Sequence, residues 1–117
     1  MSETPILVIG AGPAGLSLAR ALSLRGFHVD VLERQSRDPI AAPAADGREI
    51  ALARASLRIL GDLGMLDRID PARVSPLVRA RVADGSRADG FEVDATPFGH
   101  DALGALVANS DIRAAAW

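Results

Sequence analysis

Four consecutive apolar residues, Ile6 to Ile9, open the patterned part of the chain. A short, continuously apolar and partly β-branched run suits a strand buried on both faces of a parallel sheet. From Ala14 to Arg25 the apolar residues Leu16, Leu18, Ala19 and Leu22, with the small Ala21, recur at helical spacing, and Gly26 supplies a stop. Val29, Val31 and Leu32 then form a second strand. Strand, tight turn, helix and strand within about thirty residues make the smallest parallel crossover unit. Further on, Ala53, Leu57, Leu60 and Leu63 predict one face of a packed helix from about Arg54 to Leu63, stopped by Gly64. Beyond Pro71 and Pro76 the segment LVRARVAD alternates as a strand, DGSRADG supplies turn residues and FEVDAT alternates again, which predicts a hairpin.

The turn between the first strand and helix reads GAGPAG, with glycines at 10, 12 and 15. Each has its own reason to lack a side chain. Gly10 permits the sharp exit from the strand, Gly12 lets a pyrophosphate approach the backbone, and Gly15 lets helix and strand pack closely. Pro13 and Ala14 start a helix whose free N–H groups and positive dipole end would face that pyrophosphate. Glu33, at the end of the second strand, lies where a carboxylate accepts hydrogen bonds from ribose hydroxyls. Arg34 is either a solvated charge or a residue lying along an adenine. The pattern predicts an α/β fold with a Rossmann-like βαβ dinucleotide-binding unit on a parallel sheet, and an ADP-containing ligand. It does not separate FAD from NAD.

Composition narrows the chemistry mostly by exclusion. With 117 residues, 49% of them hydrophobic, the chain has material for one modest core. A net charge of -2 gives no basic excess, so no nucleic-acid partner is expected. Cysteine is absent, which removes disulfides, thiolate metal sites and cysteine nucleophiles. His28 and His100 lie far apart, without metal-ligand neighbours at a recognised spacing, so no metal site is expected. Ser17, Ser23 and Ser56 have no histidine partner in a nucleophile context, and a hydrolase finds no support. Asp67 and Asp70 are expected to solvate a helix end. The acidic N-terminus and glycine-broken apolar run do not read as a signal peptide, and no stretch has the length of a membrane span; a cytoplasmic location is the default expectation.

The segment VIGAGPAGLSLARALSLRGFHVDVLER resembles the amino-terminal FAD-binding segment of flavoprotein monooxygenases related to para-hydroxybenzoate hydroxylase. DGREIALARASLRILGDLGMLDRI and GALVANSDIRAA are similar to later segments of the ubiquinone-biosynthesis hydroxylase branch of that family. The resemblance implies FAD as cofactor and NAD(P)H as co-substrate, with oxygen used to hydroxylate a small phenolic ring, polyprenylated in some members. It also implies a contact between Arg48 and the flavin cofactor, where a guanidinium could pair with phosphate oxygens in a planar fork. Asp46 and Gly47 are expected to shape the loop before it. Asn109 falls where the family has a polar side chain near the cofactor; the alternative is an ordinary helix cap before SDIRAA. Where the family carries VEN this chain has VAN, with Ala108 in place of glutamate.

The same resemblance divides the chain into an ADP-half segment at 1–75, the start of a β-rich substrate layer at 76–99, and a return to the FAD domain at 100–117. Members of the family are several times longer, so an incomplete domain is expected, without the segments that hold the ribityl chain and isoalloxazine. No catalytic residue can be assigned within it. The outward arginines Arg79 and Arg81 read as a solvated face, with substrate or peripheral membrane contact as the alternative. The competing functions are another FAD-dependent oxidoreductase sharing the opening motif, and a non-catalytic ADP-binding module.

Overall fold

A computed structural model describes residues 5–85 and 90–117. The middle of the predicted DGSRADG turn lies outside the described residues. The chain opens with β1 (Ile6–Ile9), α1 (Pro13–Ser23) and β2 (Val29–Leu32). β1 and β2 are parallel and in register from Ile6↔Val29 to Ile9↔Leu32, as the crossover pattern requires. Gly26, at φ +86°, turns the chain out of α1 towards β2 in a conformation that favours glycine. α1 packs Ala19 inward but leaves Leu18 exposed. β1 departs from its expected burial on both faces: Val8 is buried beneath α1, whereas Leu7 and Ile9 point away and are exposed. The reason is that β2 is its one paired neighbour and no described element covers the other face.

The second sheet is antiparallel and was not evident in the periodicity. It comprises β3 (Glu49–Ala53), β4 (Val74–Leu77) and β7 (Gly104–Ala108), with β7 central. β7 is a continuous apolar run buried from both sides, as a central strand should be. Ala53 belongs to the end of β3 rather than to the helix face; α3 runs Arg54–Asp62, and Gly64, at φ +67°, ends the turn after it. Pro76 is tolerated in β4 because that strand is at the sheet edge, pairing with β7 alone. β4 crosses the 75/76 boundary drawn from sequence.

The predicted hairpin is present as β5 (Arg79–Val82) and β6 (Phe91–Asp94), antiparallel with Arg79 opposite Asp94. Arg79 is held across it by Asp94, at 2.8 Å from Nη2, and by Glu92 at 3.2 Å. Asp94 also accepts from the Thr96 N–H, and these bonds hold its pKa down at about 2. The alanine-rich stretch DPIAAPAADG contributes its first four residues to the short helix α2 (Arg37–Ala41), which buries Ile40, and continues as loop. α4 (Asn109–Ala116) closes the fold. The core lies between α3, α4 and β7: Leu60, Leu63, Met65, Ile69, Val107, Ile112, Ala115 and Ala116 are mutually packed, and Leu16 and Ala21 of α1 lean on them. The Arg20 guanidinium donates to the Leu63 carbonyl, tying α1 to the end of α3.

Candidate functional site

The turn from β1 into α1 is built by two glycines and opened by a third. Gly10 leaves the strand at φ +102°, a conformation that disfavours any side chain. A Cβ on Gly15 would collide with the Gly10 carbonyl oxygen and press on Val8 Cγ1 at 3.4 Å, so the helix can cross the strand this closely only at glycine. Gly12 is different. Its φ is -74°, and a Cβ there would meet nothing within 4 Å. The sequence motif's demand for glycine at 12 is therefore not made by the protein's own packing, and the position is open for a ligand.

The electrostatics of this opening favour an anion. Gly12 is the N-cap of α1 without a side-chain cap, Pro13 has no N–H, and the first turn contains no acidic residue. The helix closes its first bond from Leu16 N–H to Gly12 O at 3.0 Å. The N–H groups of Ala14 and Gly15 thus lack acceptors within the helix and can receive phosphate oxygens. A pyrophosphate fits this donor set.

Glu33 closes the cradle from the other strand. Its Oε2 accepts from the Ala11 N–H at 2.8 Å, and its Oε1 from the Gln35 N–H at 2.8 Å. The carboxylate therefore latches the glycine turn to the end of β2, and Gly10 N–H to Leu32 O at 2.8 Å continues the same seam. The Gln35 and Ala11 N–H groups hold the Glu33 pKa below its ordinary value, so it is an anion with acceptor capacity left for ribose hydroxyls. This latching role was not legible in the motif. Arg34 is exposed beside it, and its backbone N–H and charge also help to hold the Glu33 carboxylate ionised.

The second group of expected residues meets around a residue assigned only to loop shape. Arg48 pairs with Asp46, whose Oδ2 accepts from Nε at 2.9 Å and Nη2 at 2.6 Å. Asn109 Nδ2 donates to the same Oδ2 at 2.7 Å, and Asn109 N–H to Arg48 O at 2.9 Å. Asn109 is thus not the helix cap: Ala108 occupies the N-cap position without a side-chain bond, and the buried Asn109 is the first residue of α4. The Arg48 and Asn109 donors push the Asp46 pKa far below the usual carboxylate range. The sequence signal was present as an aspartate two residues before an arginine across Gly47, but its third partner lies 63 residues away. No hydrogen bond among the described residues joins this group to the glycine turn. A cleft of about 450 Å³ lies between their supporting elements, with Pro13 and Ala14 of α1 facing Leu52 of β3 and Ile112 of α4.

The remaining chemistry-bearing residues do not gather. His28 lies 3.8 Å from Asp30 on an exposed strand edge, and Ser17 donates to the Pro13 carbonyl at 2.6 Å. Among the described residues no group of three could hold a metal ion, and no helix is long and apolar enough to cross a membrane.

A parallel βαβ unit with an open, donor-rich glycine turn and a carboxylate at the end of its second strand defines a dinucleotide-binding fold. The profile of the FAD binding domain family matches residues 3–104, and the chain belongs to that family. FAD is accordingly its cofactor. The chain is 43% identical to the ubiquinone hydroxylase UbiM of Neisseria meningitidis over 120 aligned positions, covering 98% of this chain and 26% of that protein. It is 31% identical to the 3-demethoxyubiquinol 3-hydroxylase of Escherichia coli, with 97% of this chain and 29% of that protein covered. Among solved structures, the tetrameric 2-methyl-3-hydroxypyridine-5-carboxylic acid oxygenase superposes with a TM-score of 0.69 at 22% identity, over 99% of this chain and 28% of that one. Klebsiella pneumoniae HpxO complexed with FAD and uric acid superposes with a TM-score of 0.60 at 23% identity, over 96% and 27%. The chain spans about a quarter of the length of the curated relatives it matches.

Proposed function

We propose that this chain forms the ADP-half cradle of an FAD-dependent monooxygenase that hydroxylates an electron-rich phenolic ring in ubiquinone biosynthesis. The single observation that carries the cradle is the pairing of an open Gly12 with a Glu33 latch across the same turn. The ring chemistry is supported by the ubiquinone hydroxylases among the relatives. In this reading Gly10 and Gly15 hold the turn open, the N–H groups of Ala14 and Gly15 take the pyrophosphate oxygens, and Glu33 takes the ribose hydroxyls. Arg34 lies along the adenine side, and Arg48 and Asn109 flank the cofactor from the β3–α4 side. FAD, when bound, supplies the redox chemistry between NAD(P)H and oxygen; the protein supplies position and exclusion of water.

The division into a cofactor segment at 1–75, a substrate-layer hairpin at 76–99 and a return segment at 100–117 is part of the same proposal, as are a phenolic substrate and a cytoplasmic site of action. The test is calorimetric titration of the chain with ADP and FAD. Similar, weak affinities are expected, because the residues assigned here reach only the ADP half. The chain should not consume NADPH with a phenol. FAD bound about a hundredfold more tightly than ADP, or NADPH-dependent ring hydroxylation by these residues alone, would contradict the assignment.

A further inference from the structure

We infer that Asp46 is a positioning residue of the cofactor site, an anionic anchor that aims the Arg48 guanidinium at a phosphate. The inference rests on the reading above that Arg48 serves the dinucleotide. A guanidinium carries five N–H donors. Asp46 Oδ2 engages only its inner edge, through Nε at 2.9 Å and Nη2 at 2.6 Å. Both Nη1 hydrogens and the second Nη2 hydrogen have no partner among the described residues, and the side chain is 68% exposed. That outer edge is the one that can grip two oxygens of a phosphate in parallel bonds. Without an anchor, a long exposed arginine samples many rotamers, and fixing it on binding costs affinity.

The anchor itself is fixed from two directions. Asp46 Oδ1 accepts from the Arg48 N–H at 3.0 Å, which folds the loop across Gly47 at φ +73°. Oδ2 accepts from the buried Asn109 amide at 2.7 Å, so the loop is bound to the first residue of α4, and α4 is part of the core. Asn109 therefore acts through Asp46 on Arg48. The chain of contacts runs from packed helix to carboxylate to exposed cation. A carboxylate serving only the loop turn would need Oδ1 alone; three further N–H donors, from two side chains, converge on Oδ2.

The test uses D46N, which preserves the shape of the side chain while replacing one oxygen by a donor that cannot accept from Arg48 or Asn109. ADP and adenosine are titrated into the parent chain, D46N, R48A, the double variant D46N/R48A and N109A, with circular dichroism on each. D46N should weaken ADP by about fivefold, leave adenosine unchanged, and add nothing to R48A in the double variant. N109A should shift ADP affinity in the same direction by less. In the ligand-free chain the Arg48 Nε–H resonance should be protected from solvent exchange in the parent and lose that protection in D46N. If R48A weakens ADP while D46N binds it as well as the parent or better, the anchoring role is overturned and the reading of Arg48 stands. If ADP and adenosine weaken equally in D46N, the carboxylate serves only the loop, which also overturns the proposal. If R48A binds ADP like the parent, the reading of Arg48 falls and takes the proposal with it.

Discussion

The β1–α1–β2 unit carries the glycine turn, and the α3–β7–α4 layer carries the core; the two regions differ sharply in burial. In the first, Leu7 is 58% and Ile9 78% exposed on the open face of a two-stranded sheet. In the second, Val107 is 0% and Met65 1% exposed. The whole chain presents 8206 Å² of surface, against about 6,100 Å² for a compact monomer of its mass. Its radius of gyration is 17.4 Å, where a compact domain of this length would have about 13 Å. The contrast teaches that the recognisable motif and the stabilising contacts are separate properties of this sequence. Glycine sterics and one carboxylate fix the cradle locally, while the energy that keeps the chain folded is earned elsewhere.

Substitutions should separate the two regions by size of effect. Met65→Ala removes the largest fully buried side chain of the core and should cost about 2–5 kcal/mol in urea unfolding, enough to consume much of a marginal domain's stability. Gly15→Ala should cost about 3 kcal/mol through the clash with the Gly10 carbonyl, and the loss should centre on the β1–α1 crossing. Amide exchange would locate it: faster exchange in β1 and β2 with the α4 amides still protected would sharpen the division, and uniform loss would break it. Ile9→Ala, on the uncovered face, should stay within about 0.5 kcal/mol of the parent in the same unfolding assay.

The smallest expected effect is a pH dependence confined to the cradle. The folded-state pKa of Glu33 is depressed, so its stabilising contribution is complete above its ordinary value near 4.5 and is lost as pH falls through the lower folded value. The Ala11 and Gln35 amide resonances should report that transition together, because each donates to one oxygen of the carboxylate. In Glu33→Gln both should become insensitive to pH over that range. Persistence of the transition would assign it to another group.

How much the sequence disclosed follows the same division. β1, α1 and β2 were legible because their signals are local: an apolar run, three glycines, a helical stripe and a stop. The β5–β6 hairpin was legible through strict alternation. β3 was not, since Glu49–Ala53 has only Ile50 and Leu52 on its inner side and its partner β7 comes some fifty residues later. β4 hid behind Pro76, and α2 behind an alanine-rich stretch in which Ile40 is the single buried residue. For the site, the steric demands at Gly10 and Gly15 are readable in the motif, and Glu33 follows directly on β2. Its hydrogen bond to Ala11 and the convergence of Arg48 and Asn109 on Asp46 depend on tertiary approach, which no spacing encodes.

The central claim, that the open turn at Gly12 is where the dinucleotide's pyrophosphate meets this protein, is tested most directly by calorimetric titration of ADP into Gly12→Val beside the parent. A Cβ at Gly12 meets no protein atom and its backbone angles suit any residue, so the variant should keep the parent's circular dichroism. Its branched side chain would fill the volume in front of the Ala14 and Gly15 N–H groups, and ADP binding should be abolished. A folded Gly12→Val chain that binds ADP with the parent's affinity would place the phosphate cradle elsewhere and contradict the account.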